Sequence, residues 1–117
     1  MARNPRRDAA YIEDILRLSG LIRSFIHGKP RNQFDRDKLL QSAVILNLAL
    51  IGEAVSNLSN EFKAKHPTMP WRAITGLRNT VIHAYWNWNL DIIWVAAKTE
   101  VRSLAAYLRK VQKTLKP

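Results

Sequence analysis

Apolar residues recur at helical intervals over most of this chain, and that periodicity restricts it to an all-α fold. Tyr11, Ile15, Leu18, Ile22 and Phe25 step by four, three, four and three residues, the spacing that lays one stripe along one face of a helix. Ile93, Ala97, Val101, Leu104, Leu108, Val111 and Leu115 repeat the pattern near the C-terminus. No run alternates apolar and polar residues for long enough to make a strand, and no internal repeat or low-complexity tract is present.

The first helix is expected from about Asp8 to His27, after a basic, proline-containing arm over residues 1–7. Gly28-Lys29-Pro30 ends it, since glycine suits the left-handed cap and proline cannot continue a helix. The second is expected from an N-cap at Asp35 to about Asn60. Its stripe reads Leu39, Ala43, Leu46 and Leu50. Val44, Ile45, Leu48 and Ile51 make its middle apolar nearly all round, which implies burial on more than one side, centrally in a bundle or partly against another subunit. Asn47 and Glu53 interrupt that stretch and need partners if buried. Pro67 and Pro70 bracket a break, and Pro70-Trp71 opens a third helix that runs to about Ala84. A polar, aromatic turn, Trp86-Asn87-Trp88-Asn89, leads to the last helix. Arg109, Lys110, Lys113 and Lys116 in its final turns complement the helix dipole. Short connections make this an antiparallel four-helix bundle, with room for an additional short helix, and residues 1–117 a single domain.

The chain carries 19 Lys and Arg against nine Asp and Glu, a net charge of +10. An excess of that size attracts polyanions, nucleic acid first, then an acidic protein; a plain solubilising surface would need less of it. Cysteine is absent, so disulfides, zinc–thiolate clusters and thiol nucleophiles are excluded. The longest nearly apolar run, Ala43 to Ile51, is broken by Asn47 and too short to cross a bilayer. No apolar segment follows the basic N-terminus as it would in a secretory signal. These features point to a cytoplasmic protein without a membrane partner.

Most enzyme signatures are missing: there is no phosphate-binding glycine loop, no His-Glu-x-x-His and no Gly-x-Ser-x-Gly. His27, His66 and His83 do not stand at metal-ligand spacing, so no metal is expected. His27 at a helix end and His66 before Pro67 read as solvated. His83 has different company. Arg78-Asn79-Thr80-Val81-Ile82-His83-Ala84-Tyr85 sets a permanent cation, an amide, an imidazole and a phenol along about two turns, and Asn79 and His83 share a face. Such a group suits cleavage of RNA without metal. Histidine takes the proton of a ribose 2′-hydroxyl or protonates the leaving oxygen, while the guanidinium binds phosphate and offsets developing charge. One histidine does not easily supply both transfers, and a second copy of the chain would supply the other. The same spacing also fits a structural pair, with His83 hydrogen-bonded in the bundle and Arg78 solvated.

At these residues the chain resembles the HEPN superfamily, and within it the HepT toxins of the type VII HepT/MNT toxin–antitoxin modules. The subgroup's motif of Arg, four residues, His, one residue and Tyr is matched by Arg78, His83 and Tyr85, with Asn79 at its polar position. Ile51 to Ser59 resembles the family's Gly-Glu-Ala segment, Pro70 to Asn79 the Pro-Trp start of its motif helix, and Leu90 to Trp94 the start of its last helix. Trp86 keeps the aromatic after the tyrosine, while the turn at Asn87 to Asn89 is bulkier and more polar than in relatives. Trp88 fits base stacking or a core or interface anchor.

The resemblance implies a homodimer whose Arg78 and His83 meet their counterparts in one cleft as a metal-independent endoribonuclease. Such an enzyme leaves 2′,3′-cyclic phosphate ends. The resemblance further implies, as partner, a small nucleotidyltransferase antitoxin that uses its own ATP and magnesium to place AMP on Tyr85. The chain itself then needs no cofactor. Asn79 and Glu53 are expected to support the site, Glu53 as a buried partner of an Arg or His or, alternatively, as a helix-packing residue. Two other functions compete: a non-catalytic basic helical domain that binds nucleic acid, and an interaction module that only binds the antitoxin and is modified by it.

Overall fold

A computed structural model of the chain describes the backbone over residues 5–83 and 89–115 and the side chains over 7–78 and 89–115. All regular structure among them is helical: α1 (Pro5–Ile26), α2 (Arg31–Arg36), α3 (Lys38–Ser56), α4 (Asn60–Lys65), α5 (Trp71–His83), α6 (Leu90–Val95) and α7 (Val101–Leu115). A π-helical turn, Ala96–Glu100, joins α6 to α7.

α1 begins at Pro5 rather than Asp8, because proline is tolerated in a first turn, where its missing N–H is not needed. Part of the expected arm is therefore helix, and residues 1–4 lie outside the described residues. Ile12, Ile15, Leu18, Ile22 and Ile26 of α1 are buried. The helix stops where Gly28 adopts φ +70°, a value that favours glycine.

The segment between α1 and α3 differs from the sequence expectation. Asp35 does not cap the long helix. It lies inside the six-residue α2 and pairs with Arg31 at 2.7 Å. Asp37 is the cap, accepting from the Leu40 amide at 2.9 Å. The physical reason is Phe34, fully buried and 5.0 Å from the ring of Trp94: the chain makes an extra turn to sink it before α3 starts. Gln41 then donates to the Phe34 carbonyl at 2.8 Å and ties the two helices together.

α3 is the central helix, packed between α1 and α5. Asp8, near the start of α1, accepts from the Ser59 amide at 2.8 Å and its hydroxyl at 2.7 Å. Ser59 follows the end of α3, so α1 and α3 run antiparallel. Ser59 in turn caps α4 by accepting from Phe62 N–H at 3.0 Å, and Asn47 donates to the Ala43 carbonyl at 2.8 Å. These bonds satisfy polar groups that would otherwise be costly to bury. α3 is long and apolar enough to cross a bilayer by length and composition alone, longer than the broken run Ala43 to Ile51 suggests. More than half of it is nonetheless buried inside the molecule.

The face of α3 that packs is not the expected one. Leu40, Val44, Ile45, Leu48, Ile51 and Val55 are buried, whereas Leu39, Leu46 and Leu50 are 82%, 59% and 43% exposed. His66 is a second correction. Far from solvated, its Nδ1 lies 2.6 Å from the Tyr107 hydroxyl, its ring packs 4.5 Å from that of Phe62, and its carbonyl accepts from the Trp71 indole N–H at 2.9 Å. These contacts pin the start of α5 to α7. His27, just past the end of α1, is exposed.

Candidate active site

The site is built at a tight contact between α3 and α5. α5 is anchored by buried Trp71, Ile74 and Leu77, spaced three and three along one face. Gly52 of α3 faces the residue after Leu77. A Cβ on Gly52 would stand 2.9 Å from the Arg78 Cβ and 3.0 Å from its backbone nitrogen. Only glycine lets the two helices meet this closely. A glycine inside a helix costs up to about 1 kcal/mol relative to alanine, so its use here reflects the approach it permits.

The next residue on α3 completes the contact. Arg78 Nη1 donates to Glu53 Oε1 at 2.5 Å, with the side chains 32% and 52% exposed. Asn57 donates to the Glu53 carbonyl at 3.1 Å. Glu53 is thus the partner of Arg78, but at the surface instead of buried. An exposed ion pair contributes only about 0–1 kcal/mol to stability. Its main consequence is positional: the guanidinium is held over α3 while its other N–H donors have no partner among the described residues. A planar cation with donors to spare is suited to a phosphate.

Asn79 and His83 lie on α5, His83 as its last residue. Their side chains are outside the described residues, as are Tyr85, Trp86 and Trp88 altogether. The structure therefore brings together Gly52, Glu53 and Arg78, and sets Asn79 and His83 on the same helix four residues apart. Gly52 is the participant that residue chemistry alone misses. The signals for it in the sequence were a glycine in the middle of an otherwise apolar helix and the resemblance of Ile51 to Ser59 to the family's Gly-Glu-Ala segment. Among the described residues, no group of three or more His, Asp or Glu side chains could hold a metal.

These features define a small helical domain with a cationic site at a helix–helix contact, and comparison with known proteins places it. The Ribonuclease HepT-like family matches residues 15–111. The chain belongs to that family. It is 38% identical over 103 residues to a Thermococcus cleftensis protein named "Probable ribonuclease HepT", covering 88% of this chain and 94% of that one. It is 35% identical over 101 residues to a provisionally named RNase of Caldanaerobacter subterraneus subsp. tengcongensis, covering 86% and 90%. A provisionally named RNase of Methanocaldococcus jannaschii is 41% identical over 91 residues, covering 77% and 75%. No solved structure gives a significant match.

Proposed function

We propose that the chain is an endoribonuclease toxin that works as a homodimer, without metal, in the cytoplasm. Arg78 binds and neutralises the scissile phosphate, and His83 moves the proton between the ribose 2′-hydroxyl and the leaving oxygen. Attack by the 2′-oxygen on phosphorus expels the 5′-oxygen of the next nucleotide and leaves a 2′,3′-cyclic phosphate. Asn79 and Glu53 support the pair, Glu53 by fixing the guanidinium.

The observation that carries the dimer is the unpartnered face of α3. Leu39, Leu46 and Leu50 are exposed, and the same three–four spacing continues into Glu53, which holds Arg78 at 2.5 Å. A two-fold interface laid on this stripe buries the leucines and brings two Arg78 sites toward one another. The second copy then answers the need for a second proton-transfer group.

Regulation follows from the position of Tyr85, two residues past His83. AMP placed there by a partner nucleotidyltransferase, with ATP and magnesium supplied by that enzyme, adds bulk and negative charge beside the site. RNA phosphate is then excluded by sterics and repulsion.

The test is incubation of the purified chain, shown by mass to carry no AMP, with total RNA in EDTA. Cleavage with 2′,3′-cyclic phosphate ends is expected. Intact RNA after incubation with a folded dimer contradicts the proposal and favours the non-catalytic RNA-binding or antitoxin-interaction readings.

A further inference from the structure

A groove of about 360 Å³ runs between the second half of α1 and the π-helical turn with α7. Small residues such as Gly20 and Ala105 line it, and cations crowd it: Arg23 from α1, Lys98 from the π-turn, and Arg102 and Arg109 from α7. No Asp or Glu lines the groove. Lys98 stacks 5.5 Å from the ring of Trp94, whereas Arg23, Arg102 and Arg109 are exposed and make no ion pair with a described residue. Like charges gathered in one groove repel each other unless an anion fills it.

The shape of the charge indicates the kind of anion. From Lys98 to Arg109 the row rises about 15 Å along the helix, too far for one phosphate group and suited to a chain of them. Three of the four cations are arginines, whose planar forks match phosphate oxygens two at a time. Among the described residues no Phe, Tyr or Trp lines the groove, and His27 is its one ring, so contact falls mainly on the backbone and reads little sequence. The groove belongs to α1 and α7, whereas Arg78 stands between α5 and α3. Its π-turn is a feature found disproportionately at functional sites.

We propose that this groove binds the phosphodiester backbone of RNA, holding a long substrate at a second place while Arg78 and His83 act on it. The inference rests on the ribonuclease reading for the identity of the polymer, but its test does not need cleavage. Binding of a fluorescein-labelled, mixed-sequence RNA of about 20 nucleotides is followed by anisotropy across a salt series, all proteins carrying His83→Ala. Replacing Arg23, Arg102 and Arg109 together by Gln is expected to weaken binding at least about tenfold at moderate salt, and to reduce the slope of log affinity against log salt by about 2. A charge-matched control, Arg17, Lys65 and Lys110 to Gln, is expected to lose much less. If the triple variant does not fold by circular dichroism, each single Gln variant is expected to lower the slope by about 0.7. Equal losses in groove and control variants, or an unchanged slope, overturn the proposal. So does a poly-glutamate peptide that competes with RNA on equal terms, which would make the groove an acidic-protein surface. If wild-type protein fails to cleave RNA in EDTA yet the slope still falls in the groove variant, the nuclease reading fails and the groove stands.

Discussion

Gly52 and Arg78 meet with no room for a side chain between them: a Cβ on Gly52 would lie 2.9 Å from that of Arg78. α3 and α5 are therefore tightly packed at the residue that carries the candidate site's cation. Gly52→Ala is expected to push α5 outward and shift Arg78. Overpacking of this kind costs about 1–3 kcal/mol, offset in part by alanine's better helix propensity. Urea unfolding should show that loss, and RNA cleavage measured well below the melting temperature should fall further than the small unfolded fraction explains. Cleavage at the wild-type rate would detach the helix approach from the site.

Glu53→Gln separates placement from stability. The pair with Arg78 is surface-exposed, so thermal unfolding should register less than about 1 kcal/mol. Cleavage is expected to drop about tenfold, since the neutral amide can still accept from Arg78 but holds the guanidinium less firmly, and part of the preorganisation that makes it useful is lost. An unchanged rate would make the contact incidental.

The open face of α3 predicts an assembly. Leu46 is 59% exposed, so Leu46→Asp should leave the subunit folded, within about 0.5 kcal/mol for an ordinary surface change. Sedimentation is expected to show a dimer for the wild type and a monomer for the variant, with cleavage lost in the monomer. A Leu46→Asp protein that remains dimeric would place the interface elsewhere.

Lys63 gives a pH dependence. Burial holds its ammonium below the ordinary lysine value, against a weaker opposing pull from Asp8. The folded chain therefore releases this proton at lower pH than the unfolded chain does. Between the folded value and the ordinary 10.5 the unfolded state binds more protons, so stability rises with pH through that window. Lys63→Gln should remove that contribution. Urea-unfolding free energies from pH 8 to 10.5 check it, and parallel profiles for both proteins would contradict it.

How much of this was readable without coordinates depends on the distance over which each contact acts. The α1 stripe of Ile15, Leu18 and Ile22 is local, and periodicity found it. α3 is apolar on two faces, and periodicity cannot say which one packs. Leu39, Leu46 and Leu50 formed the stripe, expected to pack in the bundle or partly against another subunit, and are exposed in the chain, while Val44, Leu48 and Ile51 took the interior. The six-residue helices α2 and α4 are shorter than two turns and leave no stripe to detect. His66 meets Tyr107 across 41 residues, and no local pattern announces such a pair. Glu53 was foreseen as a partner by the cost of an unpaired carboxylate. Its surface position was not, because that depends on which face of α3 is open.

The most direct measurement sets Arg78→Ala and His83→Ala beside the wild type, each confirmed as folded and free of AMP, on total RNA in EDTA. The account predicts cleavage to 2′,3′-cyclic phosphate ends by the wild type, with each variant reduced by at least about a hundredfold, the scale on which acid–base and charge-stabilising groups act. Cleavage that survives either substitution at near wild-type rate would contradict the assignment of the reaction to these two residues.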